Sequence, residues 1–187
     1  MRIAVIGTGY VGLVSGTCFA EIGHDVVCVD VHPEKIKNLK KGIIPIHEDG
    51  LEDMVKRHHS HGSLRFTTDY ADAIPGAEVV LIAVGTPSSA DGAADLRFVF
   101  QAAEEIGKHL TDYTVIVNKS TVPIGTADQV TNFVSKHANH AFDVVSNPEI
   151  LREGIAVNDF MNPSRIIIGS ASSKATERML ELYAPLA

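Results

Sequence analysis

The chain has 187 residues, of which 45% are hydrophobic and 21% charged, a composition typical of a soluble α/β protein with one buried core. Its formal net charge of −7 argues against a general surface for nucleic acid or for anionic membranes. The apolar runs are too short to span a bilayer, and the N-terminal MRIAVIGTGYVG lacks the cleavage site of a secretory signal. We therefore expect a cytoplasmic protein with one domain over residues 1–187.

Short apolar runs alternate with helical patterns along the chain, and most of these runs are unbroken, as in parallel strands covered on both faces. The predicted strands are Ile3–Ile6, Val26–Asp30, Leu64–Thr67, Val79–Val84, Thr114–Val117, Phe142–Val145 and Arg165–Ile168. The predicted helices are Gly12–Ile22, Pro33–Lys41, Leu51–His58, Leu96–Leu110, Ala127–His137 and Lys174–Leu182. This order predicts an α/β, Rossmann-like fold with a doubly wound, mainly parallel sheet.

The first predicted strand and helix are joined by the glycine-rich stretch AVIGTGYVG. Gly7 allows a tight turn, Gly9 lets the backbone approach a pyrophosphate, and Gly12 permits close packing of the helix. The second predicted strand ends at Asp30, where a carboxylate can bind the ribose hydroxyls of an adenosine. Because a carboxylate repels a 2′-phosphate, we expect NAD rather than NADP, although Lys35 is a nearby cation that could tolerate the extra phosphate.

Polar residues also follow the later predicted strands. Ligands of open α/β sheets collect at the carboxyl ends of the strands. This rule predicts that Thr86, Ser120, Thr121, Glu149 and Glu153 meet at one edge of the sheet. The alternative is local: Thr86 caps a turn, and Ser120 and Thr121 satisfy loop amides.

The stretch NPEILRE carries two carboxylates four residues apart. Asn147 can cap a helix and Pro148 suits its first position, so Glu149 and Glu153 are predicted to share one helical face. Like charges at this spacing repel each other, and Arg152 could partly neutralise Glu149.

Cysteines and histidines offer two further candidate sites, and neither is favoured. Cys18 and Cys28 stand in apolar stretches away from any histidine, which indicates reduced core thiols. His58, His59 and His61 lie together without the spacing of a structural zinc site, so a solvated helix end is expected and no metal is predicted.

Four stretches resemble the N-terminal half of nucleotide-sugar dehydrogenases, the UDP-glucose/GDP-mannose dehydrogenase family. They are VIGTGYVGLVSG, VGTPSSADGAADL, NKSTVPIGT and SNPEILREGIAVNDFMNPSRIIIG, and the match runs from Met1 to about Gly169. The family oxidises the nucleotide sugar to its uronic acid with two NAD⁺. Within the family, the stretch REGIAVNDFMNPSRIIIG is most similar to the corresponding sequence of UDP-glucose 6-dehydrogenases.

The glycine motif and the resemblance together imply which residues serve the site. Cofactor binding is expected of Gly7, Gly9, Tyr10, Val11, Gly12, Asp30, Lys35, Thr86, Ser120, Thr121 and Glu153. Substrate binding is expected of Glu149, Ile150, Leu151, Arg152 and Glu153. The resemblance further implies that Thr121 and Glu149 are catalytic, because they hold and activate the water that hydrolyses a thioester intermediate. Ile150 departs from the phenylalanine usual at its position in the family.

The resemblance also implies chemistry that the 187 residues do not contain. The family's nucleophilic cysteine lies in a Gly-x-Cys motif of its second half, and neither Cys18 nor Cys28 can replace it. We therefore expect this chain to bind NAD but not to oxidise UDP-glucose without the central helix and the C-terminal UDP-sugar-binding domain. The complete protein is expected to bind UDP-glucose and to form a homodimer or a larger oligomer, with no nucleic-acid or membrane partner.

Two other readings keep the glycine motif. The chain could be the cofactor domain of another NAD-dependent dehydrogenase, acting on a hydroxy acid or an acyl-CoA, or it could be a non-catalytic NAD sensor. Both would retain Gly7 to Asp30, and neither would require Thr121 and Glu149.

Overall fold

The computed structural model describes residues 1–89 and 92–186. Residues 90 and 91, in the middle of the VGTPSSADGAADL stretch, lie outside the described residues. The strands are β1 Arg2–Ile6, β2 Asp25–Val29, β3 Leu64–Thr67, β4 Val79–Ile82, β5 Thr114–Asn118 and β6 Phe142–Ser146. The helices are α1 Tyr10–Glu21, α2 Pro33–Leu39, α3 Leu51–His61, α4 Tyr70–Ala73, α5 Arg97–His109, α6 Thr126–Ser135, α7 Ala156–Met161 and α8 Ser173–Tyr183, followed by a 3₁₀ turn, Ala184–Leu186.

The six described strands form one parallel sheet in the order β3-β2-β1-β4-β5-β6. The chain builds outward from β1 to β3, returns to the centre, and then builds outward in the other direction from β4 to β6. This reversal opens a crevice at the carboxyl ends of β1 and β4, where such folds bind their ligands. The predicted Rossmann-like fold is confirmed.

The core lies in two layers, one on each face of the sheet. Ile3 and Val5 pack with Phe19 on one face, whereas Ala4 and Ile6 pack with the α5 side on the other. Because helices cover both faces, each central strand is apolar throughout, which explains the unbroken runs in the sequence.

Both cysteines belong to this interior, as predicted. Cys18 and Cys28 are buried free thiols, and burial raises the pKa of each to about 12, with the charge of Glu21 adding to the shift at Cys18. Both thiols therefore stay protonated near neutral pH.

The predicted seventh strand, Arg165–Ile168, is wrong. The segment meets the sheet through one antiparallel bridge, where Ser146 and Gly169 exchange amide hydrogen bonds of 2.9 and 2.8 Å. Its apolar residues Ile166 and Ile167 are partly exposed rather than packed on both faces. The prediction failed because a hydrophobic run does not by itself determine whether the segment pairs with a neighbouring strand. Helices α4 and α7 were not predicted, since four and six residues are too few to show a helical period.

The helix predicted to begin at Pro148, with Asn147 as its cap, is also wrong. Residues 147–152 are irregular, a turn follows, and α7 begins only at Ala156. The Asn147 side chain is buried and does not cap a helix, because its amide donates to the Ile167 carbonyl at 2.7 Å and its oxygen accepts from Tyr183 at 2.6 Å. Glu149 and Glu153 therefore do not lie one helical turn apart.

Candidate functional site

The glycine turn, residues 6–12, is closed by contacts that only glycine allows. Gly7 has φ +99° and donates its amide to the Val29 carbonyl at 2.8 Å. A Cβ on Gly7 would lie 2.5 Å from the Ala83 carbonyl oxygen, and one on Gly12 would lie 2.0 Å from that of Gly7. Since both clashes involve backbone atoms, larger residues at these positions would displace the turn.

Gly9 plays a different part, because the space in front of it is open. It stands at the N-cap of α1 without a side-chain cap, and a Cβ placed there would meet nothing within 4 Å. The first intrahelical bond runs from the Leu13 amide to the Gly9 carbonyl at 2.9 Å, so the amides of Tyr10, Val11 and Gly12 have no acceptor inside the helix. These donors and the positive end of the helix form a cradle that fits a pyrophosphate.

Asp30 lies at the end of β2 and is held by four donors. Its Oδ2 accepts from the Thr8 hydroxyl at 2.7 Å, the Thr8 amide at 3.0 Å and the Lys35 ammonium at 2.9 Å. Among the described residues, its Oδ1 accepts from the His32 amide alone, at 3.1 Å. Burial works to raise the pKa of Asp30, but the Thr8 hydroxyl and the Lys35 ammonium, together with the two amides, outweigh it and lower the pKa. The carboxylate is therefore ionised, and Oδ1 retains the capacity to accept a ribose hydroxyl.

Lys35 bears directly on the choice between NAD and NADP. Its ammonium forms an ion pair with Asp30 and is therefore engaged within the protein. A cation held by this carboxylate is a poor receptor for a 2′-phosphate, which the same carboxylate would repel. The arrangement favours NAD.

The glycine turn and Asp30 open onto a first cleft of about 550 Å³, a size usual for ligand sites. Gly7, Gly9, Asp30, Lys35 and Phe98 of α5 are among the residues that line this cleft. Phe98 is half-exposed and adds an apolar surface to the lining. Backbone donors, a carboxylate and apolar walls together fit a dinucleotide.

The ends of β4 and β5 meet as predicted. The Thr86 hydroxyl donates to the Thr121 carbonyl at 3.0 Å, so these two residues lie side by side. Ser120 is buried, and its hydroxyl donates to the carbonyls of Val84 at 2.8 Å and Ile82 at 3.3 Å. The Ser120 hydroxyl is thus used within the protein, although it bonds to carbonyls and not to the loop amides of the local alternative. Thr121 is exposed.

The acidic segment, residues 147–155, borders a second cleft of about 570 Å³. The Glu149 carboxylate accepts a hydrogen bond from the backbone amide of Leu151 at 2.6 Å. This bond holds the carboxylate against its own segment of the chain. Arg152 does not neutralise Glu149 as predicted, because it pairs with Asp159 at 2.7 Å and donates its amide to the same carboxylate at 3.0 Å. Ile150 also borders this cleft and is partly exposed.

The acidic segment acts electrostatically on Tyr10, the first residue of α1. Burial raises the pKa of the Tyr10 hydroxyl, and the carboxylates of Glu48, Glu153 and Glu149 raise it further. Tyr10 and Leu151 of the acidic segment also pack against the same core layer.

Sequence reasoning missed Glu48, which organises the turn after Glu153. Glu48 is buried, and its two oxygens accept the amides of Gly154 at 2.6 Å and Ala156 at 2.9 Å. No local pattern predicts this role, because Glu48 lies in an irregular loop before α3.

Lys119 was also missed. It lines the second cleft and donates to Asn147 at 3.2 Å and to Tyr183 at 3.3 Å. The rule that selected Ser120 and Thr121 could have found it, since Lys119 directly follows β5 at the same edge of the sheet.

Two of the three neighbouring histidines make separate contacts near the end of α3. His58 contacts Ser63 at 2.9 Å, and His59 contacts the Leu64 carbonyl at 3.0 Å. Within residues 1–89 and 92–186, no group of three or more histidine, cysteine, aspartate or glutamate side chains is arranged to hold a metal ion. In the same ranges, no helix has the length and apolar character needed to cross a membrane.

The model of the UDP-glucose/GDP-mannose dehydrogenase family, NAD binding domain, matches residues 1–187. The chain belongs to this family. It is 55% identical over 98% of its length to UDP-glucose 6-dehydrogenase TuaD of Bacillus subtilis, of which it covers 40%. It is 53% identical over its whole length to the UDP-glucose 6-dehydrogenase of Rhizobium meliloti, of which it covers 44%. The chain thus spans less than half the length of these curated relatives.

Solved structures agree with this assignment. The UDP-glucose dehydrogenase of Pyrobaculum islandicum matches the whole chain with a TM-score of 0.96 at 40% identity, over 44% of that protein. The GDP-mannose dehydrogenase of Pseudomonas aeruginosa matches 98% of the chain with a TM-score of 0.93 at 34% identity, over 44% of that protein. The resemblance and the cofactor, NAD, are confirmed for this NAD-binding domain. The readings as a hydroxy-acid or acyl-CoA dehydrogenase, or as a sensor, gain no support from these relatives.

Proposed function

We propose that this chain is the NAD-binding part of a UDP-glucose 6-dehydrogenase, which oxidises the C6 hydroxymethyl group of UDP-glucose to a carboxylate. The observation that carries the proposal is the cradle of free α1 amides beside the ionised Asp30 carboxylate, in a chain that matches the family's NAD binding domain over residues 1–187. The UDP-glucose 6-dehydrogenases among the relatives favour UDP-glucose over GDP-mannose as the substrate.

Each part of the site has a role in this proposal. The α1 amides and the turn at Gly9 bind the pyrophosphate of NAD, and Asp30 binds a ribose through Oδ1. When bound, NAD⁺ accepts the hydride in each of the two oxidation steps. Thr121 and Glu149 hold the water that hydrolyses the thioester, with Glu149 accepting its proton. Glu153 would hold the nicotinamide ribose of the bound cofactor.

The remaining predicted residues complete the two ligand surfaces. The proposed cofactor contacts also include Tyr10, Val11, Lys35, Thr86 and Ser120. The path of the sugar is lined by the segment from Glu149 to Glu153, including Ile150, Leu151 and Arg152.

By itself, the chain is expected to bind NAD(H) without oxidising UDP-glucose. The thioester requires an accessible thiolate, whereas Cys18 and Cys28 are buried and their pKa values of about 12 keep them protonated. The nucleophile must come from outside these residues. We further propose a cytoplasmic location, which suits the free thiols, and a homodimer or larger assembly for the complete enzyme.

A chimera tests this function. Residues 1–187 are joined to the part of Bacillus subtilis TuaD that lies beyond its matched region, and UDP-glucose-dependent NADH formation is followed by absorbance. We expect activity in the chimera and none in residues 1–187 alone. Glu149→Gln is expected to lower kcat by about 100-fold or more, as loss of a general base does, while exposed Glu177→Gln leaves it unchanged.

Three results would contradict parts of this proposal. A folded chimera that binds NADH but oxidises only another nucleotide sugar would overturn the substrate assignment. Full activity in Glu149→Gln or Thr121→Ala would overturn the assigned roles. Turnover of UDP-glucose by residues 1–187 alone would overturn the need for an external nucleophile.

A further inference from the structure

The second cleft contains a buried amine for which the proposed reaction has no use. Lys119 is 5% exposed, and its ammonium donates to the side-chain oxygens of Asn147 at 3.2 Å and Tyr183 at 3.3 Å. The Tyr183 hydroxyl in turn donates to the Asn147 oxygen at 2.6 Å. In the described part of the chain, no carboxylate lies within 4 Å of the ammonium to form an ion pair.

Such an arrangement is costly for stability. Removing an ammonium from water without a counter-charge costs several kcal/mol, and two neutral acceptors offset only part of this cost. Burial accordingly lowers the pKa of Lys119 to about 8, and the negative charge of Glu149 partly opposes the shift. Unpaired buried lysines are concentrated at functional sites, because a purely structural role is served equally well by an apolar residue.

The position of Lys119 suggests what it does. Lys119 stands two residues before Thr121, and Asn147 stands two residues before Glu149. β5 and β6 are neighbouring strands. Just after their last paired residues, the backbone amide of Asn147 donates to the Asn118 carbonyl at 3.0 Å. The bond from Lys119 to Asn147 therefore joins the two segments at the point where they leave the sheet.

The side chain of Asn147 makes further hydrogen bonds. Its side-chain nitrogen donates to the Ile167 carbonyl at 2.7 Å and so holds the segment after α7. Tyr183 anchors the same group to the end of α8. Because the Asn147 oxygen accepts from both Lys119 and Tyr183, its orientation is determined from two sides.

We propose that Lys119 is a positioning residue that, through Asn147, sets the separation of Thr121 and Glu149. This inference rests on the proposed function, since that function gives Thr121 and Glu149 their shared water. Lys119 does not touch the reacting atoms in this account. Its effect passes through Glu149.

The first test uses residues 1–187 alone. Lys119→Met removes the charge and the donor but keeps the length of the side chain, and the matched control is exposed Lys108→Met. Hydrogen exchange is measured over residues 147–152 and over the glycine turn. We expect exchange at residues 147–152 to rise about tenfold, as the loss of one hydrogen bond implies, with NADH affinity unchanged within about twofold.

If hydrogen exchange at residues 147–152 is unchanged in a folded Lys119→Met variant, the proposal is overturned. It is also overturned if exchange in the glycine turn rises as much as exchange at residues 147–152. If Lys119→Met does not fold, Tyr183→Phe removes only the hydroxyl of the same network and is judged by the same criterion.

The second test separates positioning from general stability in the chimera with TuaD. We expect Lys119→Met to lower kcat by about tenfold with an unchanged KM for NAD, and to have no further effect in Glu149→Gln, since residues that act as a unit are non-additive. Equal losses in both backgrounds would overturn the proposal. A chimera without UDP-glucose activity would instead refute the proposed function, and the exchange measurement would still decide the role of Lys119.

Discussion

The first and second clefts are built by different means. The first cleft takes a turn, a helix N-terminus and one carboxylate from residues 6–35, and α5 completes its lining. The second cleft depends on side chains that are far apart in sequence, such as Lys119 with Tyr183. Local backbone geometry survives most single substitutions outside the turn. A network of distant side chains is lost when one member changes.

The strongest way to break this comparison is at Gly12. Gly12→Ala would place a Cβ 2.0 Å from the Gly7 carbonyl oxygen, so we expect a loss of about 3 kcal/mol or more in the free energy of unfolding and no measurable NADH binding. Urea unfolding and NADH fluorescence titration measure the two effects.

Gly9→Ala is the matched control for Gly12→Ala. Its Cβ meets no protein atom within 4 Å, so stability is expected to change by less than about 1 kcal/mol. NADH affinity is expected to fall about tenfold, because the added methyl group occupies the space in which the pyrophosphate is bound. Equal stability losses in the two variants would contradict the assigned geometry.

Asp30→Asn is expected to weaken NADH binding about tenfold and to reduce the preference over NADPH, because the ribose loses a charged acceptor. The NADH-to-NADPH affinity ratio measures this effect. An unchanged ratio would show that Asp30 does not face the ribose.

Asp30 also links stability to pH. Its folded pKa is lower than its unfolded value of about 3.9, so its contribution is fully present above that value and is lost as the pH falls through the folded pKa. The stability difference between the parent chain and Asp30→Asn, measured by urea unfolding, is therefore expected to be constant from pH 7 to about pH 5 and to shrink below about pH 4. A difference independent of pH would contradict this linkage.

Glu48→Gln examines the long-range contact between the loop before α3 and the turn after Glu153. The Gly154 and Ala156 amides donate to different oxygens of Glu48, so glutamine would place an NH2 donor against one of these two N–H groups. We expect a loss of about 1.5–3 kcal/mol in stability, faster hydrogen exchange at these two amides, and little change in NADH affinity. Exposed Glu52→Gln is the control. If the two variants lose the same amount of stability, the hydrogen bonds of Glu48 contribute nothing to it.

Arg152→Ala is expected to have the smallest effect. The ion pair of Arg152 with Asp159 is largely exposed on the arginine side, and solvent and salt screen such pairs so that they add little to stability. Urea unfolding at low and high salt is the measurement. A larger loss that is insensitive to salt would show that the pair supports the acidic segment as the buried contacts do.

The two clefts also differ in how far sequence predicted them. Gly7, Gly9, Gly12 and Asp30 lie where the motif places them, because their roles follow from contacts between nearby elements. The prediction for Asn147 was wrong because local capping preference was outweighed by burial against Tyr183 and Ile167. Tertiary contacts of this kind leave no periodic signal.

The sequence by itself determined the parallel sheet, the two buried thiols and the cradle for NAD, since hydrophobic runs and glycine geometry act over short distances. Only the tertiary structure decided that Arg152 pairs with Asp159, that Glu48 holds the turn after Glu153, and that Lys119 joins Asn147. Each of these pairs depends on which side chains the completed sheet brings together. The physical reason is that hydrogen bonds between distant side chains form only after the chain has packed.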